Sequence, residues 1–201
     1  MTQLAIVYHS AHGHTEHIAR RIAEGVRRAD GPGVDLIRAE EAAGDVDRLL
    51  RYDGLIFGSP TYLGGVSAPF KAFMDATGRL WRSQSLKGKL GAGFTVSSLP
   101  AGDKQSTLMS MFVFGMQQGM LWVGNPILPE QHGGVPYEEA ANRLGSWSGL
   151  MAQAGHGAHR LEGEGRHLEG EGGLPVVPAA DGEDLGGLAL VDELREQRDV
   201  P

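Results

Sequence analysis

The stretch Ser10-Ala11-His12-Gly13-His14-Thr15 has the residue types of an anion site. Two hydroxyls, Ser10 and Thr15, flank a single glycine. The apolar run Leu4-Ala5-Ile6-Val7-Tyr8 precedes it, and an amphipathic segment, 14–29, follows. That order reads as strand, loop, helix. A loop so placed aims backbone N–H groups outward at a helix N-terminus, where the macrodipole adds roughly half a positive charge. It is not a Walker loop, because the terminal Gly-Lys-Ser/Thr is absent, and with one glycine it is not the dinucleotide fingerprint. A monophosphate is the expected ligand. The plainer alternatives are helix capping for Ser10 and Thr15 and simple solvent exposure for His12 and His14.

Two further stretches could wall a site with it. Pro60-Thr61-Tyr62-Leu63-Gly64-Gly65 offers an aromatic, an apolar side chain and two glycines that let backbone approach a ligand. Tyr62 and Leu63 either cover a flat ring or pack within the loop. Val96-Ser97-Ser98-Leu99-Pro100-Ala101-Gly102 supplies backbone donors and no charge. A monophosphate on the first stretch and a planar ring between the other two describe FMN. The chain contains no cysteine, which excludes disulfides, thiol redox chemistry and cysteine-ligated metal centres. A bound flavin is then the available redox centre.

The elements that must hold these residues follow from periodicity. Residues 3–9, 34–37, 55–57, 91–96 and 120–123 read as five strands, the first apolar throughout, as in a sheet buried on both faces. Between them, 14–29, 45–51, 67–81 and 104–118 read as helices, and 178–198 as a terminal helix. Ile18, Ile22 and Val26, with Ala19 and Ala23, form one stripe. Val46, Leu49 and Leu50 make the inward face of the second helix, and Phe70, Phe73, Met74 and Thr77 that of the third. Met109, Met111, Met116 and Met120 read as packing residues. This βαβ rhythm predicts one α/β domain over 1–201: a flavodoxin-like three-layer sandwich, with a five-stranded parallel sheet of order 2-1-3-4-5 and helices on both faces. Ligands then bind at the carboxyl ends of the strands, where the three stretches fall.

Residues 159–165, HRLEGEG, and 166–172, RHLEGEG, are a near-duplication. One apolar residue per period and paired glycines argue against a helix, so 155–173 is expected to be a flexible, acidic, glycine-rich insertion. His156, His159 and His167 lack a preorganised geometry for metal. Apolar residues make up 41% of the 201, enough for a sizeable core, and the net charge of −7 disfavours nucleic acid and anionic membrane. No apolar run of about 18 residues exists to span a membrane. The opening residues lack the basic and apolar regions of a signal peptide, so a cytoplasmic location is expected.

The order of motifs resembles the flavodoxin-like NAD(P)H:quinone oxidoreductases of the tryptophan-repressor-binding-protein (WrbA) type. The resemblance rests on Tyr8-His9-Ser10-Ala11-His12-Gly13-His14-Thr15 and on the block FGSPTYLGGVSAPFKAFMDATGRLW over 57–81. Leu86-Lys87-Gly88-Lys89-Leu90 and Gly133-Gly134-Val135-Pro136-Tyr137 extend it, so that it covers about 3–150. It implies FMN, with its phosphate on 10–15 and its ring against 61–65 and 96–102. It implies a two-step relay in which NAD(P)H, the co-substrate, reduces the flavin and leaves, and a quinone then accepts two electrons. It also implies a homo-oligomer, dimer or tetramer, with active sites near subunit contacts. His12 falls where the family has an aromatic residue near the nicotinamide, and Trp81 where it has a tryptophan bordering the substrate site. Gln117-Gln118 stands where the family often has a histidine pair near the flavin. Gln117 can hydrogen-bond there but cannot titrate. The family's glycine-rich third loop is here Ser-Leu-Pro-Ala-Gly, and 155–173 has no counterpart. The family's name suggests a repressor partner, which nothing in this acidic sequence supports. The other readings open are a flavodoxin-like one-electron carrier, for which the acidic surface speaks, and an FMN-fold binding or regulatory module.

Overall fold

The computed structural model describes residues 2–29 and 33–154. Strand β1 (Gln3–Tyr8) leads into helix α1 (His14–Arg28), and β2 (Gly33–Arg38) into α2 (Ala39–Gly44) and a short, tight helical stretch, Val46–Arg51. Strand β3 (Gly54–Tyr62) folds back on β4 (Gly65–Val66). Helices α3 (Ala68–Ala76) and α4 (Gly78–Ser83), strand β5 (Leu90–Ser97), α5 (Lys104–Gln117) and β6 (Leu121–Trp122) follow, and β7 (Leu150–Gln153) closes the described chain. The main sheet runs β2-β1-β3-β5-β6, every neighbour parallel. With the β4 hairpin set aside this is the expected 2-1-3-4-5 order. The 155–173 insertion, its three histidines and the terminal helix expected at 178–198 lie outside the described residues.

The apolar first strand has the physical meaning its composition suggests. Successive side chains point to opposite faces. Leu4, Ile6 and Tyr8 enter a core with Ala19, Ile22, Ala23 and Val26 of α1, while Ala5 and Val7 enter the core on the other face. That second core is aromatic. Phe57 of β3 meets Phe114 of α5 edge-on at 5.4 Å between ring centroids, and Phe70 and Phe73 of α3 close the cluster. Each such ring, removed from water, contributes about 2–3 kcal/mol before the entropy of ordering it.

Several elements differ from the sequence expectation. The third strand does not stop at Phe57; it continues to Tyr62, so the expected loop over 58–66 is mostly a hairpin. The helix expected over 67–81 breaks at Thr77, whose hydroxyl donates to the Met74 carbonyl at 2.7 Å and accepts from Gln118 Nε2 at 2.8 Å, with Gly78 following. Leu50 is 39% exposed rather than inward. The turn there has three residues per turn, so Val46 and Leu49 eclipse on the buried side and Leu50 is carried outward. Met111 and Met120 are buried, whereas Met109 and Met116 lie on the outer face of α5. The fifth strand position is shared. β6 pairs only with Leu90 and Gly91, and β7 takes the same edge beside Phe94 to Ser97 after the excursion 123–149.

Candidate functional site

The parallel register brings the three stretches to one edge. Tyr8 lies level with Gly58, and Gly58 with Phe94. The His9 amide donates to the Gly58 carbonyl at 3.0 Å, so the exit of β1 is stitched to β3. After β1 the chain crosses to β2 on one side and later to β3 on the other. This is the switch in strand order beside which open sheets hold ligands.

Gly13 caps α1 with φ 86°, in the left-handed region, and no side chain caps the helix. The first helical bond runs from the His17 amide to the Gly13 carbonyl at 2.8 Å. Ser10 is 6% exposed, and its hydroxyl has no partner. The capping alternative for Ser10 and Thr15 is therefore not what the fold uses them for. An unsatisfied buried hydroxyl costs about 1–3 kcal/mol, and one beside an open helix N-terminus is suited to an anionic oxygen. Thr15 is buried in the first turn; Ala11 and His12 are exposed, and His14 is partly buried. Among the described residues, the neighbouring arginines are already paired. Glu16 accepts from Arg20 at 2.6 Å and from Arg38 at 3.0 Å. Next door, His9 Nε2 lies 3.6 Å from Glu40 Oε1, its Nδ1 is unpartnered, and burial pushes its pKa down. The loop offers an anion amides and hydroxyls, not charge.

The second wall is the hairpin. Pro60, Thr61 and Tyr62 belong to β3, and Leu63 and Gly64 form its two-residue turn with φ of 48° and 79° before Gly65 begins β4. This primed turn leaves Leu63 fully exposed and Tyr62 43% exposed. Thr61 points inward instead. Its hydroxyl oxygen is 2.8 Å from those of both Thr95 and Thr107, and Thr95 donates to the Ser59 carbonyl at 2.7 Å. Ser59 Oγ in turn accepts from the Ser67 amide at 2.9 Å. This buried hydroxyl network ties the hairpin to β5 and α5.

The third wall, 96–102, is held from behind. Gln153 Nε2 donates to the Ser98 carbonyl at 3.2 Å, and the Ala154 amide to the Ser97 carbonyl at 2.9 Å. Gly102, at φ 52°, lets the loop fold onto Ser97; a Cβ there would stand 2.1 Å from Ser97 Oγ. Leu99, Pro100 and Ala101 face solvent while Val96 is buried. Lys104, which sequence reasoning passed over, is fully buried and donates to Ser97 Oγ at 2.9 Å and to the Leu99 carbonyl at 2.6 Å. Its signal in the sequence was a lysine opening a helix, the end that a cation does not favour.

Trp81 and Gln117 do not join this edge. Helices α3–α4 and α5 all run back toward the opposite edge, the last for about 21 Å. There Gln84 Nε2 donates to the Trp81 carbonyl at 2.8 Å and to the Gln117 carbonyl at 3.1 Å, and the Gly88 amide to the Gly119 carbonyl at 2.9 Å. Within one chain they lie apart from the three stretches that the sequence groups around the flavin. Trp81 is half exposed, and Gln117 is exposed.

Among the described residues no cluster of three His, Asp or Glu could hold a metal. The FMN expected from the sequence fits what is present: an orphaned hydroxyl at an uncapped helix for a phosphate, exposed apolar side chains for a ring face, and a braced loop for its edge. Residues 38–133 match the family of NADPH-dependent FMN reductases. The chain is 33% identical to a NAD(P)H dehydrogenase (quinone) of Acidithiobacillus ferrooxidans, over 84% of this chain and 96% of that protein. It is 35% identical to one of Archaeoglobus fulgidus, over 71% of this chain and 86% of the relative. Among solved structures, a WrbA-like flavodoxin from Agrobacterium tumefaciens aligns with a TM-score of 0.65 and 26% identity, covering 98% of this chain and 99% of the other. With its sheet order, its three-walled edge and relatives matched over nearly their full length, this chain belongs to the NAD(P)H dehydrogenase (quinone) family of WrbA-type, flavodoxin-like proteins.

Proposed function

We propose that the protein is an FMN-dependent oxidoreductase that passes a hydride from NAD(P)H to quinones. The observation that carries the reading is the buried, unpartnered Ser10 hydroxyl at the uncapped start of α1, set at the same edge as the hairpin and the 96–102 loop. When bound, FMN supplies a ring that accepts a hydride from one substrate and returns two electrons to the next.

The chain's own residues bind and shield. Ser10, Thr15 and the amides of 11–15 hold the phosphate, with hydrogen bonds worth about 1.5–3 kcal/mol each to a charged group. Pro60, Tyr62 and Leu63, with Gly64 and Gly65 close by, lie against a ring face and exclude water from it. The backbone of 96–102 meets the ring's polar edge. His12, exposed on the first loop, borders the nicotinamide.

Trp81 and Gln117 enter through assembly. They sit together on the far edge, Trp81 half exposed, while Tyr62 and Leu63 stand uncovered on the near one. A homo-oligomer that sets the far edge of one copy over the near edge of another would give each pocket a Trp81 and a Gln117. No helix among the described residues is long and apolar enough to cross a membrane. A cytoplasmic location is part of the same proposal.

The absorbance spectrum of the purified protein, followed by NADH and NADPH oxidation with benzoquinone, tests the reading. A flavin spectrum and quinone-dependent turnover are expected. FMN retained with negligible NAD(P)H oxidation would make the protein a one-electron carrier; no FMN uptake would make it a binding module.

A further inference from the structure

Lys104 is a buried charge without a counter-charge. It has no exposed surface and takes part in no ion pair among the described residues. It opens α5, where the helix dipole disfavours a cation. Fully buried lysines are rare unless paired. Two of its three N–H donors go to Ser97 Oγ and the Leu99 carbonyl, both in the 96–102 loop. Behind it, Thr107, one turn along α5, belongs to the neutral hydroxyl network. Burial lowers the pKa of its ammonium to about 8, so the charge persists at neutral pH.

We propose that Lys104 is a positioning residue of the flavin site: it fastens the 96–102 loop and places an uncompensated positive charge behind that wall, favouring the reduced, more electron-rich FMN over the oxidised form. The inference rests on the FMN reading above. A cation that the chain leaves without an anion is poised to meet charge brought by the ligand. FMN gains that charge at the ring's polar edge on two-electron reduction. The loop that Lys104 pins is the wall proposed to face that edge.

The test is an anaerobic titration of the apoprotein with oxidised and with chemically reduced FMN, read as the ratio of the two dissociation constants. Lys104→Met removes the charge and keeps a side chain of similar length, so the apoprotein should keep or gain thermal stability. Its reduced-to-oxidised Kd ratio should rise about tenfold over wild type, equivalent to about 30 mV for a two-electron couple. Lys104→Gln, which keeps an N–H donor without the charge, should show the same rise, and Lys104→Arg should hold the wild-type ratio within about twofold. An unchanged ratio in both neutral variants overturns the proposal. So does a shift in Lys104→Arg as large as theirs. If wild-type apoprotein takes up FMN in neither state, the FMN reading itself falls, and this inference with it.

Discussion

The two edges of the sheet are built to opposite rules. Both edges bend backbone into left-handed conformations, at Gly13, Leu63, Gly102 and Asp103 where β1, β3 and β5 end and at Gln84, Gly88 and Gly119 where the strands begin, so the contrast lies in the polar groups of the first edge. There the helix start is uncapped, a serine hydroxyl and a histidine nitrogen lack partners, and a buried lysine lacks a counter-ion. At the edge where the strands begin, the same groups are tied down. Gln84 bonds the Trp81 and Gln117 carbonyls, Gln118 Nε2 bonds Thr77, and Lys89 Nζ bonds the Leu50 and Tyr52 carbonyls. Gln118 Oε1 and Arg48 Nε are left over there among the described residues. The first edge leaves polar groups that the fold does not use; the second closes the fold and presents one half-exposed tryptophan. Three variants can break or sharpen that contrast.

The largest effect is expected at the first edge. Thr15→Glu sets a carboxylate against the phosphate position, an uncompensated charge costing about 3–5 kcal/mol, so FMN retention should fall more than a hundredfold. The flavin-to-protein absorbance ratio after gel filtration reads it, with circular dichroism checking the fold. Unchanged flavin content would refute the placement of the phosphate on this loop. At the second edge, Trp81→Ala should leave FMN affinity within about twofold and shift the assembly toward monomers. A tryptophan at the centre of an interface is worth about 2 kcal/mol or more, so both the association constant and the kcat/KM for quinone should fall about tenfold or more. Sedimentation together with a flavin titration decides. Lost flavin with an intact assembly would place Trp81 in its own chain's pocket after all. The smallest effect tests the brace between hairpin and sheet. Thr61→Val keeps the shape but leaves Thr107 short of a partner, and should lower apoprotein stability by about 1–2 kcal/mol in urea unfolding. No loss would mean that the hydroxyl network is ornamental.

The sequence carried the first edge far better than the second. Leu4 to Tyr8 announced a two-faced strand because every side chain there is buried, and the strand order followed from the alternation of apolar runs and amphipathic segments. Residues 10–15 stand out as a candidate anion loop because such a loop is local: glycine, hydroxyls and helix start lie within six positions. The extent of β3 was hidden, since Ser59, Pro60 and Thr61 look like loop residues; only the hydroxyls of Ser67, Thr95 and Thr107, far off in sequence, make them buried strand. Helix α2 escaped because its six residues bury only alanines. The split of the fifth strand into β6 and β7 escaped because four residues, Leu150 to Gln153, carry too little pattern to be read. Lys104 belongs to no motif, and burial of a charge depends on neighbours that no spacing reveals. Trp81 and Gln117 were matched by motif, and motif does not say which edge of the sheet a helix end reaches.

The central claim is that the first edge holds a phosphate with groups the fold itself does not use. Ser10→Ala tests it most directly, through two readings on one protein: FMN affinity and apoprotein thermal stability. The account predicts an FMN Kd raised about tenfold to a hundredfold, because a hydrogen bond to a charged group is lost, with apoprotein stability unchanged or slightly higher, because the hydroxyl has no partner in the fold. An FMN Kd within twofold of wild type, or an apoprotein destabilised by the change, would contradict it.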